Sequence, residues 1–299
     1  MKRFTYITII LLSFIILNNQ CAYAAAAKTQ ADAKNAIEYR LAQMQDIPGM
    51  LALIETQAVA DSDKIVILPK KFRADSLANA VKSGKMFIAV QPGSAENASC
   101  VVAFKKLYCL NAKELDEVLK TELRLKDASV MSAMVDPKSL KIDKENKADQ
   151  ELQHVLASKT TYIYNGGDLT DAKFRKRGIN TQLMRAALNQ LEKSVVENIA
   201  QNSSSHVALV FGLAKSNTGN GILQGRSEGL VRSFAQFSHR IAVQGSSILC
   251  GRYTAFMPTF DPESAECRPK PDDQSVQGFG CIMAVPLQSV QSHNSAILK

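Results

Sequence analysis

The sequence predicts an α/β fold arranged as one domain with insertions. Short β-branched or apolar runs alternate with amphipathic stretches in the order strand, strand, helix, strand, helix, strand. No internal repeat and no convincing boundary interrupts that order. A chain of 299 residues is also long enough to bury a substantial core.

The elements follow in order. Ala36–Met44 and Met50–Val59 read as helices separated by Pro48-Gly49. Ala74–Lys82 is a third, with Leu77, Ala80 and Val81 on one face and Ser83-Gly84 as its stop. Met86–Val90 reads as a short buried strand and Cys100–Leu107 as a second, its Lys105-Lys106 pair predicting a solvent-facing edge. Asn111–Arg124 is helical through Leu115, Val118, Leu119 and Leu123. The Lys/Asp/Asn-rich stretch 136–150 reads as a surface excursion. Thr160–Tyr164 is a β-branched and aromatic strand, bent at Asn165-Gly166-Gly167. The clearest helix runs from Gly178 to about Ala200, and His206–Leu213 returns as a core strand.

The amino end reads as an address. Lys2 and Arg3 precede an apolar run from Tyr6 to Leu17, and Ala22-Tyr23-Ala24 closes the stretch with the small-x-small pattern of a signal peptidase site. The run falls short of the roughly 20 residues a spanning helix needs. Residues 1–24 are therefore expected to be a cleaved signal peptide and 25–33 a loose leader, placing the protein in the periplasm or outside the cell, with a host compartment as a further destination. Cys21 leaves lipid attachment as an alternative, against which stand Asn19 and Gln20.

The formal net charge is +8, or about +6 without Lys2 and Arg3, which suits anionic partners without naming one. No later segment approaches transmembrane length. Five cysteines follow the signal: Cys100, Cys109, Cys250, Cys267 and Cys281. In an exported protein some should pair; Cys100 with Cys109 and Cys267 with Cys281 are the simplest of several pairings. The four histidines are scattered and there is no CxxC, which argues against zinc. No Gly-x-Ser-x-Gly elbow is present, and the glycine-rich Asn217–Gly221 loop lacks the Lys-Ser/Thr of a P-loop. His239 reads as a helix-face residue, while Asn97 and Asn202 open sequons.

Chemistry concentrates between Thr160 and Leu213. The segment Asp171-Ala172-Lys173-Phe174-Arg175-Lys176-Arg177-Gly178-Ile179-Asn180 delivers a basic, glycine-containing turn into the amino end of a helix. There the first backbone N–H groups lack partners and the helix dipole is positive, so an anion can settle. The alternative is a solvated basic turn.

This segment, followed by Leu183-Met184, resembles the central motif of the GNAT superfamily of acyl-CoA-dependent N-acyltransferases. Phe174 stands for the motif's aromatic residue, Arg175 for its Arg/Gln and Gly178 for its central glycine; Asn180 departs from the usual Gly or Ala. The resemblance implies a mixed, mainly antiparallel sheet flanked by helices, best matched over residues 86–213, with one more helix and one or two strands beyond, Cys281–Leu287 among them. It implies acetyl-CoA or another acyl-CoA as co-substrate, no metal, and an amine acceptor that is a small molecule or a protein. The backbone of Arg175, Lys176, Arg177, Gly178, Ile179, Asn180 and Thr181 would grip the pyrophosphate. Strands around Tyr162–Asn165 and His206–Phe211 would splay to admit the thioester arm. Asp168 or Asp171 would take the amine proton, unless Asp168 only caps the turn. Tyr253 would protonate the leaving thiolate. Two other readings stand beside transfer: a GNAT-like binding module without catalysis, and a basic nucleic-acid-binding protein. The second is disfavoured by 6% aromatic residues, no Trp and dispersed charge.

Overall fold

The computed structural model describes residues 36–60, 70–92, 100–123, 155, 158–212, 228–241, 248–257 and 276–287. The expected signal and leader, the 136–150 stretch, residues 217–225, Asn97 and Cys267 lie outside them. The chain forms two compact units, residues 1–38 with 90–100, and residues 39–89 with 101–299. Of the first, only residues 36–38, 90–92 and 100 are described, and among them Glu38, Val90, Gln91 and Cys100 are ends of strands.

Apart from those end residues, the strands belong to the second unit. They are β1 (Glu38–Leu41), β2 (Met86–Gln91), β3 (Cys100–Leu110), β4 (Thr160–Thr170), β5 (His206–Phe211), β6 (Leu249–Met257) and β7 (Val276–Pro286). They form one seven-stranded sheet in the order β1-β2-β3-β4-β5-β7-β6. The β3–β4, β5–β7 and β6–β7 pairs are antiparallel, and β4–β5 is parallel. A parallel neighbour requires a crossover, supplied by helix α4 (Ile179–Asn202). The other α-helices with described bounds are α1 (Ile47–Ala60), α2 (Lys70–Lys82), α3 (Ala112–Leu123) and α5 (Glu228–Ile241). The expected mixed, mainly antiparallel sheet with flanking helices is thus what the chain forms.

Alternation along β3 and β4 assigns the two faces. Thr161 Oγ1 donates to Asn198 Oδ1 of α4 at 3.0 Å, and Lys106 Nζ reaches Ser76 Oγ of α2 at 3.2 Å. Helices therefore cover both faces, and Met86–Val90 of β2 and Val101–Tyr108 of β3 are buried. Leu183, Met184, Ala187 and Leu188 of α4 are all no more than 1% exposed, as the helical period of that stretch predicts.

Several expectations need correction. Residues 38–41, predicted helical, form strand β1, and Ala42 N–H donates to Met86 O at 2.9 Å just beyond it. A stretch this short has a weak local preference, and pairing to the sheet overrides it. Helix α1 runs through Pro48-Gly49, because a proline in the first turn lacks only an N–H that has no helical partner. The Lys105-Lys106 pair is not a solvent edge: Lys105 is 0% and Lys106 6% exposed. Cys100 and Cys109 sit at opposite ends of β3, nine residues or about 30 Å apart at strand rise, so they cannot pair with each other. Cys109, Cys250 and Cys281 are thiols. Burial raises all three above their ordinary range, Cys109 to about 12, with Glu114 adding to the effect there.

Candidate anion-binding cleft at the amino end of helix α4

β4 outruns β5. Their parallel ladder extends from Thr160 opposite His206 to Asn165 opposite Phe211, and the last rung is Gly212 N–H donating to Asn165 O at 3.0 Å. Residues 166–170 of β4 continue along β3, and among the described residues no strand pairs with their other edge. The described β4–β5 ladder therefore ends at Asn165. This corrects the expectation that Tyr162–Asn165 and His206–Phe211 splay: those residues are the closed part of the pair.

A cleft of about 510 Å³ opens beside that edge, within the range of small-molecule sites. Asp168, Leu169 and Thr170 of β4 form one wall, the loop and first turn of α4 from Phe174 to Thr181 another, and Gly229 and Leu230 of α5 a third. The structure thus brings together Arg175, Lys176, Gly178, Ile179, Asn180 and Thr181. Gly178 caps α4 with φ 76°, ψ 2°, and Lys176 is also left-handed at φ 63°. Left-handed residues in such a turn direct successive N–H groups toward one point, which is how backbone holds anions. At Gly178 the conformation is easy; at Lys176 it is a strain the turn imposes.

The basic side chains have different duties. Arg175 is tied down, its Nε donating to Thr170 O at 3.1 Å and its Nη2 to Gln57 Oε1 at 2.7 Å. Gln57 of α1, 2% exposed, is a supporting residue that the sequence did not flag, because 118 residues separate it from Arg175. Arg177 lies over the Phe174 ring at 5.2 Å from its centroid. Lys173 and Lys176 are exposed.

The two candidate acids part company. Asp171 N–H donates to Val102 O, and its carboxylate accepts from Lys173 N–H at 2.9 Å. That caps the 3-10 turn Ala172–Phe174, so Asp171, not Asp168, is the turn's cap. Asp168 accepts from Lys105 Nζ at 2.7 Å and from Asn180 Nδ2 at 3.4 Å. Its side chain is 34% exposed, whereas that of Lys105 is 0% exposed. Burial pulls the Asp168 carboxyl upward, but the Lys105 charge, with hydrogen bonds from Lys105, Asn180 and Asn165, outweighs it and holds the group below its ordinary value. Asn180, where the motif departs from glycine, uses its amide on this carboxylate. Lys105 is the second participant the sequence reading missed.

Tyr253 lies in β6 opposite Gly280 of β7. Three strand spacings, about 14 Å, separate β6 from β4. His239 is an exposed residue of α5, and Asn202 hydrogen-bonds within the last turn of α4. Among the described residues no three His, Cys, Asp or Glu side chains cluster as metal ligands would, and no helix is long and apolar enough to cross a membrane.

No protein-family model and no curated protein matches the chain. Solved structures with a similar arrangement include the polyamine N-acetyltransferase of Drosophila melanogaster, which catalyses formation of N-acetylagmatine. It is 12% identical, with 84% of this chain and 100% of that one covered and a TM-score of 0.37. The ribosomal-protein-S5-alanine acetyltransferase of Vibrio fischeri is 8% identical, covering 85% and 94%, with a TM-score of 0.39. NAA60 of Arabidopsis thaliana, in complex with acetyl-CoA, is 13% identical, covering 82% and 97%, with a TM-score of 0.38. At these identities and TM-scores they assign this chain neither a family nor an activity.

Proposed function

We propose that this protein is an acyltransferase of the GNAT kind, moving an acetyl or other acyl group from acyl-CoA to an amine. The observation that supports this most is the cleft itself. Lys176 and Gly178, both left-handed, line the same cleft as Asp168, Leu169 and Thr170 of β4. The turn suits a pyrophosphate, with Lys176 adding charge. Residues 166–170, whose second edge pairs with no described strand, suit an extended arm that carries amides. Arg175, through Thr170 and Gln57, holds the turn in place rather than meeting the ligand.

In the reaction the amine nitrogen attacks the thioester carbonyl, a C–N bond forms, and the C–S bond breaks. One proton leaves the amine and one reaches the thiolate. Asp168 is the carboxylate bordering the cleft; kept ionised by Lys105, it attracts and orients a cationic amine and is a weak base. Tyr253 as the thiolate's proton donor rests on the family resemblance alone. A second reading, a module that binds acyl-CoA without transfer, is favoured by the Lys105–Asp168 ion pair, which occupies the best-placed base. The signal-like amino end supports action outside the cytosol, where a host compartment would have to supply the acyl-CoA.

Calorimetric titration with acetyl-CoA tests the site. Saturable binding is expected, weakened roughly tenfold by Lys176→Gly with Arg177→Ala through loss of charge-assisted contacts. Absence of binding, or affinity indifferent to that double change, would overturn the placement. Release of free CoA thiol in the presence of an amine panel separates transfer from binding alone.

A further inference from the structure

Lys105 holds an ammonium with 0% side-chain exposure, directly opposite Asp168 in the β3–β4 ladder. Its Nζ meets Asp168 Oδ2 at 2.7 Å, and Asn180 Nδ2 donates to the same oxygen at 3.4 Å. Burying an ion pair offers a fold little over two apolar residues of like volume, so the pair asks for a use. The cleft supplies one. Among the described residues that line it, Asp168 is the one carboxylate, and it shares the space with Arg175, Lys176 and the first turn of α4.

A carboxylate without a counter-charge would work against an anion there. The Asn180 side chain reaches from the turn to Asp168, so the carboxylate stands about one side-chain length from the turn's backbone N–H groups. At that separation a bare negative charge repels a phosphate measurably even where water screens it. The other acids nearby are dealt with locally. Asp171 caps the 3-10 turn, and Glu228 at the start of α5 is 76% exposed, where solvent screens it. Lys105, with no exposed surface, acts on the cleft through the carboxylate it pairs with. Close to Asp168 the negative charge still leads, which suits the orienting of an amine. At the turn, farther from both groups, the two charges largely cancel.

We propose that Lys105 determines the charge preference of the cleft: its ammonium cancels the Asp168 carboxylate, so that the turn can hold a phosphate-bearing ligand beside an acid. This rests on the anion-binding part of the acyl-CoA reading and goes beyond it, assigning the selectivity to a buried strand residue outside the motif. Lys105 is a specificity-determining residue that works through Asp168 and does not meet the ligand.

Inorganic pyrophosphate is the probe, titrated at low salt and followed by phosphorus NMR. Lys105→Met should weaken its binding roughly fivefold, and Asp168→Asn should tighten it by a similar factor. Lys105→Met with Asp168→Leu, which removes both charges, should return to within about twofold of wild type. All these differences should shrink in about 1 M sodium chloride. A merely structural role would weaken binding in every variant, so opposite signs for the two single changes are the mark of charge. Affinity untouched by either single change, or weakened by both, would overturn the proposal while leaving the anion-binding cleft intact. Should Lys105→Met fail to fold, Asp168→Asn decides alone. Tighter, salt-sensitive binding upholds the proposal, and unchanged or weaker binding refutes it. If wild type binds no pyrophosphate, the proposal and the anion-binding reading beneath it both fall.

Discussion

Lys105 and Asp168 show how one residue pair sets the chemistry of the cleft. A lysine with 0% exposure sits against a carboxylate that keeps 34% of its side chain open, so the ammonium has given up water while its partner has not. Removing the lysine would leave the carboxylate partly buried without a counter-charge. Lys105→Met is expected to cost about 2–4 kcal/mol in urea unfolding, less than a fully buried pair because Asp168 retains solvent. Adding Asp168→Leu should recover most of that loss; a double variant no better than the single one would mean that the pair is not coupled. Nothing near Lys105 in sequence signals its partner, which lies 63 residues away. Consecutive lysines on a strand read as a wet edge, and a distant counter-ion is invisible to that pattern. By contrast, Gly178 was legible, because a glycine opening a long amphipathic helix after a basic turn has few other uses.

Among the elements, the joint between α4 and α5 shapes the cleft wall. Gly229, in the first turn of α5, lies so close to Thr181 of α4 that a Cβ there would overlap Thr181 Oγ1 and meet its Cγ2 at 3.1 Å. The two helix amino ends therefore meet at one wall of the cleft. Gly229→Ala should destabilise the protein by about 1–3 kcal/mol in thermal melts by forcing the helices apart, and Thr181→Ala in the same chain should restore most of it. A neutral Gly229→Ala would contradict this close approach. Helix α4 itself was readable along its length, since its buried leucines repeat with the helical period. β1 was not, because a four-residue edge strand is defined by its neighbour and not by its own composition. The extension of β4 to Thr170, past the glycines taken as its bend, likewise depends on β3 alongside it.

Across the whole molecule, two carboxylates tie acid stability to tertiary structure. Asp46 is held below its ordinary value by hydrogen bonding to Arg40, against burial, with Arg40 Nη1 at 2.7 Å. Asp168 is lowered as described. Both folded values lie below the unfolded 3.8, so each stabilises fully above that pH and loses its contribution as pH falls through the folded value. Urea midpoints should be level from about pH 5 upward and decline below about pH 4, less steeply in Asp46→Asn. A midpoint that rises on acidification would refute this. By itself the sequence determined the alternation of strands and helices, the long helix α4 and the basic glycine turn that opens it, because each is written in spacing over a few adjacent residues. Only the tertiary structure decided where the described β4–β5 ladder ends, that Lys105 is buried against Asp168, and that Gln57 and Thr170 hold Arg175. Those facts depend on strand register and on partners far apart in the chain, and local pattern carries no information about either.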